Sequence, residues 1–374
     1  MLYYLAEYLT PCYGPFRLLR SHALLLAGGT FFAAMLSVFL LPRLWCRLPK
    51  DHGKEILGAD GMKSQGKPTG AGFLVTLVAL PVIVLFAPLS PWDMAAVGGL
   101  YAAMVFGYLD DRSDRPWGQL RKGLLDAVVS VAVACFIFIG HGEEVEGSRV
   151  MVTWLPFFKG HFMINGVGTW LVPGWLYVPS SAFMLWFVMN ATNCSDGVDG
   201  LAGSLAEIAL VMLAVILYVV VGYRPVAHYF LIPVYAEAAR WAIVVMIVAG
   251  AFGGYLWHNA EPSRVLMGDA GSRFLGLLVA TACLMTGNPF LVLALAPVVI
   301  VNGGGGLGKI VLLRLARRLG FDIGEGNVIR RIRFPLHDHC KRKLGWTNAQ
   351  VLMRFVLLQL VVMPVLLVIL LKVR

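Results

Sequence analysis

Residues 182–200 read AFMLWFVMNATNCSDGVDG. An apolar run from Ala182 to Met189 ends in two asparagines, two aspartates and several small residues. Asp196 and Asp199 lie three apart, so on a helix they would share a face, and Gly197 and Gly200 permit close backbone approach. A lone Asp-Gly is ordinarily a solvated turn. Here the same junction, a long apolar block ending in a polar cluster, recurs along the chain, and the recurrence decides the fold.

The chain has 374 residues, of which 59% are hydrophobic and 14% charged, with a mean hydropathy of +0.76. Soluble domains carry about 25% charged residues. Apolar blocks reach the roughly 17–25 residues that a membrane helix needs. The sequence therefore predicts an all-α polytopic membrane protein, a single integral domain over residues 1–374. Ten spans are expected near 22–46, 70–89, 93–110, 121–140, 177–192, 204–222, 236–257, 273–287, 290–316 and 349–372. Pro42, Pro81 and Pro297 are candidate kink points, and VNGGGGLGK (Val301 to Lys309) is expected to bend or break the ninth span. That run lacks the strand and the GK[ST] ending of a Walker motif. The first residues show no signal-peptide core with a cleavage site, so a mature N-terminus is expected. Six cysteines without CxxC spacing suggest neither a disulfide framework nor a zinc site.

Loop charge orients the chain. The odd-numbered connections hold nineteen Lys and Arg residues, and the even-numbered ones hold three: Arg149, Lys159 and Arg224. The positive-inside bias places the odd loops in the cytoplasm and both termini outside. The external stretch 141–176 alternates apolar residues with glycines and is read as a short hairpin or a surface helix. The net charge of +10 is read as orientation plus anionic partners, with no nucleic acid among them.

Five polar clusters fall on the cytoplasmic side: MKSQGKPTGAG (Met62 to Gly72), YLDDRSD (Tyr108 to Asp114), NATNCSDGVDG, HNAEPSRVLMGDAGS (His258 to Ser272) and FPLHDHCKRKLGW (Phe334 to Trp346). Each has a bland reading. Asp110-Asp111 could be a solvated cap, His337–His339 a surface turn, and Lys63 and Lys67 topology signals; Asp269 could be an N-cap or a metal ligand. Independent turns should appear on both faces, however, and these share one. Asp110, Asp111, Asp196, Asp199 and Asp269 are oxygen donors with no Cys/His set beside them, which favours magnesium over zinc. Lys63, Lys67, Lys122, His337 and His339 could neutralise a diphosphate. Together these suit a reaction between a nucleotide-linked substrate and a lipid phosphate.

On these residues the chain resembles the phospho-N-acetylmuramoyl-pentapeptide transferase (MraY) family, within the polyprenyl-phosphate N-acetylhexosamine-1-phosphate transferases. GKPTGAG resembles GTPTMGG, NCSDGVDGLAGS resembles NLTDGLDGLA, LMGDAGS resembles FMGDTGS, and PLHDHCKRKLGW resembles PLHHHFEKKGW. The resemblance implies ten helices with external termini in a bacterial inner membrane, and a homodimer. It implies that undecaprenyl phosphate attacks the β-phosphate of UDP-MurNAc-pentapeptide, giving lipid I and UMP with magnesium as cofactor. By it, Asp269 is the metal ligand, and Asp110 is the base on the lipid phosphate or, alternatively, a nucleophile on the diphosphate. Asp111, Asn193 and His337 match further active-site positions, and Lys122 a phosphate-contacting lysine. Gly197, Val198, Asp199, Asn259 and Leu266 match the uridine pocket, with Asp196, Lys63 and His339 as further substrate-binding candidates.

Departures from the pattern are specific. Asp114 stands where the family's DDxxK has lysine, with Arg112 or Arg115 as possible substitutes. Lys67 replaces a threonine, Leu266 a stacking phenylalanine, and Asp338 the middle histidine; Lys63 is one residue out of register with the pocket lysine. The rivals are a sister hexosamine-1-phosphate transferase, a secondary transporter with carboxylates at the membrane midplane, and an inactive scaffold.

Overall fold

A computed structural model describes the chain except for residues 52–63, 114–116, 159, 165–166, 236, 321–330 and 373–374. Lys63, Asp114 and Arg115 therefore lie outside the described residues. After a short helix α1 (Leu2–Leu9), long helices follow: α2 (His22–Leu44), α3 (Ala71–Phe86), α4 (Pro91–Asp111) and α5 (Gln119–His141). Next come α6 (Gly174–Ser195), α7 (Leu201–Val215, prolonged by a π segment Ile216–Val221), α8 (Ala238–Asn259) and α9 (Gly268–Met285). The ninth expected span is α10 (Leu291–Leu295), a turn at Pro297–Val299, a π segment at Ile300–Gly304, and α11 (Gly305–Arg318). The chain ends in α12 (Leu336–Leu344) and α13 (Asn348–Lys372).

Helices thus occupy all ten expected intervals. Among the described residues, seven are long and apolar enough to cross a membrane: His22–Arg47, Pro91–Asp111, Gln119–His141, Leu201–Val221, Ala238–Asn259, Pro297–Arg318 and Asn348–Lys372. The chain is a polytopic membrane protein. Pro42 and Pro81 lie inside continuous helices, whereas the ninth segment breaks at Pro297 and widens through the glycine run, as its sequence predicts.

One correction concerns fold class. The chain is mostly helical but not all-α, because residues 143–173 form a four-stranded antiparallel sheet. Its strands β1 (Glu143–Val145), β2 (Ser148–Thr153), β3 (Phe162–Ile164) and β4 (Val167–Pro173) lie in the order β1-β2-β4-β3. The hairpin reading was nearer than the surface-helix one. β-branched residues such as Val150, Val152 and Thr153 favour a strand, and β2 is buried continuously from Val150 to Thr153. Trp154 ties the sheet to the end of α9 by donating from Nε1 to Thr286 O (2.8 Å).

The core sits on α8 and α9, whose residues are buried almost all the way round. A helix that is apolar on every face belongs at the centre of a bundle. Small residues let it close up. A Cβ on Gly72 of α3 would overlap the Gly271 backbone of α9, and one on Gly254 of α8 would stand 2.7 Å from Ala34 O of α2. Where lipid gives helices no hydrophobic reason to associate, such close backbone approach supplies the packing contacts. The α3–α9 contact also fixes where the N-terminus of α9 lies, and the site is built around that end.

Candidate active site

The apolar helix α4 stops at Asp110-Asp111, and the two aspartates have different tasks. Both Asp111 oxygens accept backbone N–H groups from the first turn of α9, Asp269 N to Oδ1 (3.0 Å) and Ala270 N to Oδ2 (3.1 Å). A helix leaves its first amides without partners, and a carboxylate there also complements the dipole. Asp111 therefore caps α9 from a neighbouring helix. Gly268 makes room: its φ of +72° suits glycine, and a Cβ there would overlap the Asp111 carboxylate. Asp269 is thus not the N-cap. Its side chain is left for other work.

Asp110 Oδ1 accepts Trp117 N–H (2.7 Å), and its Oδ2 pairs with Lys122 in the first turn of α5. The same ammonium lies 3.3 Å from Asp269 Oδ2. Two carboxylates from two helices converge on one cation, Asp110 being 7% exposed and Asp269 27% at the side chain. Beneath them sits a group that the sequence reading overlooked. Arg273, one turn along α9, points Nη2 at Asp269 Oδ2 (3.4 Å) while its Nη1 donates to Asp126 of α5. Arg273 and Asp126 are both buried. Arg112, weighed as the cation compensating for Asp114, is exposed at the end of α4. The guanidinium that reaches Asp269 is that of Arg273. A lone arginine and a lone aspartate inside apolar spans were the available signal. Asn193, in the last turn of α6, donates to Ser272 Oγ (3.0 Å), joining the NCSDG cluster to MGDAGS.

The predicted nucleoside wall forms a connected edge. Asp196 caps the C-terminus of α6, Gly197 is exposed, and Val198 is buried. Asn259, at the end of α8, accepts Gly200 N–H (2.7 Å) and donates to Val265 O (2.8 Å), so one side chain clamps two loops. Leu266 donates its N–H to Pro68 O (2.8 Å) and accepts Ala71 N–H (3.0 Å), which sews the MGDAGS approach to GKPTG. Lys67, read as a departure, is paired here. Its ammonium is 3.7 Å from Asp199 Oδ2 and donates to Ser263 Oγ (2.9 Å), and Ser263 N–H also donates to Asp199 (3.3 Å).

The fifth cluster reaches the same place by its first histidine. His337 at the start of α12 is buried, and its ring occupies the space that a Cβ on Gly197 would need. Its backbone N–H donates to Oδ1 of Asn302 in the π segment (2.9 Å). Burial pushes the His337 pKa down to about 4, opposed by Asp338 and assisted by Lys341. The ring is therefore uncharged at neutral pH, which departs from the expectation that it neutralises a diphosphate. His339 instead accepts Arg333 N–H through Nδ1 (3.1 Å), capping its own loop. All five clusters are thus linked by contacts among the described residues, and their carboxylates sit at helix ends rather than mid-span.

The donor set bears on a metal. Among the described residues no three His, Cys, Asp or Glu side chains cluster as a ready-made cage. Magnesium, however, is commonly held by one or two carboxylates plus substrate phosphate. Asp110 and Asp269, already converging on one ammonium, fit that pattern. Asp111, with both oxygens on α9, does not. The six cysteines are free thiols.

Comparison with known proteins bears on the family. A model of glycosyl transferase family 4 matches residues 94–287. A protein of Treponema pallidum (strain Nichols) is 39% identical over 357 residues, covering 94% of this chain and 91% of its own. One from Gemmatimonas aurantiaca is 29% identical over 378 residues, covering 95% of each chain. One from Borreliella afzelii is 27% identical over 357 residues, covering 92% of this chain and 95% of its own. All three carry the name phospho-N-acetylmuramoyl-pentapeptide-transferase.

Proposed function

The chain belongs to the phospho-N-acetylmuramoyl-pentapeptide-transferase family, and on that premise we propose that it transfers phospho-MurNAc-pentapeptide from UDP-MurNAc-pentapeptide to undecaprenyl phosphate. The products are lipid I and UMP, in peptidoglycan synthesis at a bacterial inner membrane. The observation that carries the reading is the convergence of Asp110 and Asp269 on Lys122, beside a loop edge suited to a nucleoside. In this reading ten helices span the membrane, both termini are external, the site opens to the cytoplasm, and the enzyme works as a homodimer.

The reaction exchanges one phosphoanhydride bond for another. An oxygen of the lipid phosphate attacks the β-phosphorus, the bond to the UMP oxygen breaks, and UMP leaves with the electron pair. A phosphate monoester is already largely ionised near neutral pH, so Asp110 has only a residual proton to accept. Lys122 lies where it can follow the charge that shifts onto phosphate oxygens. Arg273 holds Asp269 from beneath and keeps one of its oxygens turned toward Lys122. Asn259 and Asn193 keep the loops in register. Asp269 and Asp110 are the side chains that would hold magnesium, which would supply charge neutralisation and orientation of the phosphates.

The test is UMP release by purified protein with undecaprenyl phosphate and magnesium, offering UDP-MurNAc-pentapeptide and UDP-GlcNAc in parallel. Turnover of the first alone supports the proposal. Turnover of the second alone moves the protein to the sister branch. If neither reacts and EDTA changes nothing, the transferase reading fails.

A further inference from the structure

The π segment of the broken ninth span holds Asn302, a fully buried side chain inside an apolar stretch. The segment lies close against α6: a Cβ on Gly303 would overlap Ala191 O and stand 2.8 Å from Ser195 Oγ. Asn302 Oδ1 accepts the backbone N–H of His337 at 2.9 Å, which fixes which end of the amide faces α12. Turned the other way, its NH2 would oppose that N–H. The same Oδ1 lies 3.2 Å from His337 Nδ1. An amide oxygen can only accept, so Nδ1 must carry the ring's proton. A neutral imidazole has one N–H, and Nε2 is then left with a lone pair.

Nε2 is the atom that faces the NCSDG loop, filling the position a Gly197 side chain would take. The charged groups nearest the ring are Asp338, whose Oδ1 is 3.8 Å from Nε2, and Lys341 on the next turn. At 3.8 Å the aspartate is too far to take a hydrogen bond from Nε2. Burial adds to the preference for an uncharged ring.

We propose that Asn302 is a positioning residue that holds His337 in the Nδ1–H tautomer, and that Nε2 meets the sugar-nucleotide as an acceptor for one of its hydroxyl or N–H groups. His337 then reads a neutral donor on the substrate and does not balance phosphate charge. The identity of the ligand rests on the proposed function; the tautomer does not.

The experiment has two readouts. Nitrogen-15 NMR of histidine-labelled protein at pH 7 should show a His337 resonance with Nδ1 protonated and Nε2 bare. It is identified by its loss in His337→Gln and should change in Asn302→Leu. In turnover assays, Asn302→Leu should raise KM for the sugar-nucleotide about fivefold to tenfold, with kcat changed less, as expected for one lost hydrogen bond. His337→Gln, whose amide oxygen can accept near the Nε2 position, should keep more of the affinity than His337→Lys. A protonated Nε2 in the wild type, or a lysine variant that binds better than the glutamine one, overturns the proposal. If Asn302→Leu does not fold, the wild-type spectrum and the Gln/Lys pair still decide. A wild type with the stated tautomer but no turnover of either UDP-sugar would sink the transferase reading and leave the Asn302 assignment standing.

Discussion

Replacing Arg273 with methionine removes one half of a buried ion pair and a contact to Asp269 in a single step. The Arg273 side chain is 4% exposed and that of Asp126 1%, so water cannot compensate the aspartate left behind. Breaking such a pair from one side costs about 3–5 kcal/mol. Unfolding entropy is about 2.1 cal/mol/K per residue, which over 374 residues is close to 0.8 kcal/mol/K. The expected fall in Tm is therefore about 4–6 °C, read by intrinsic tryptophan fluorescence in detergent. The double variant Arg273→Met with Asp126→Leu removes both charges, and buried pairs replaced by apolar side chains are often neutral in stability. Its Tm should return to within about 2 °C of wild type by the same conversion. Turnover should stay low in both, because Asp269 has lost its guanidinium in both. An unchanged Tm for the single variant, or a double variant as unstable as the single, would refute the pair as described. Full turnover in the double variant would refute the link to Asp269.

Asp269→Asn should abolish magnesium-dependent UMP release while leaving Tm within a few degrees of wild type; wild-type turnover would remove Asp269 from the metal role. Gly72→Ala should fail to give monodisperse protein in size-exclusion chromatography, because its Cβ falls on the Gly271 backbone, whereas Gly98→Ala on α4, with open space around it, should be tolerated. His337 gives a pH signature. Above about pH 6.5 neither the folded nor the unfolded ring is protonated; between about 6.5 and about 4 the unfolded chain takes a proton that the folded ring refuses. Stability should therefore fall as pH drops through that window, by at most about 3 kcal/mol, and His337→Gln should flatten that part of the curve in melts at pH 7 and pH 5.

Much of the site was legible because lipid leaves few reasons for polar clusters at the ends of apolar helices. The clusters at Asp110, Asn193, Asp196 and Asp269 could be read from that alone. The division of labour within Asp110-Asp111 could not be read. The amides that Asp111 caps lie 158 and 159 positions away, and no local pattern announces a cap supplied by another helix. Arg273 and Asp126 each stood out as charges in apolar spans, but their pairing is a fact of packing between α5 and α9. Asn302 was hidden by the glycine run beside it, which drew the reading toward a break in the helix. The four-stranded sheet was underestimated because strands as short as Glu143–Val145 and Phe162–Ile164 carry little periodic signal.

The Lys67–Asp199 pair gives the proposed nucleoside edge a way to refuse visitors. Lys67 and the Ser263 amide both lie on Oδ2 of Asp199 before any ligand arrives. A molecule that pushes Lys67 aside without bringing a donor of its own leaves a partly sheltered carboxylate short of a partner. That penalty falls on the wrong molecule and spares the right one, which is how a site gains selectivity by what it repels. Flat aromatic compounds that merely fill the space beside Leu266 should be poor occupants of this protein. Inhibitors built for it would do better to present an N–H toward Asp199 than to add further ring surface.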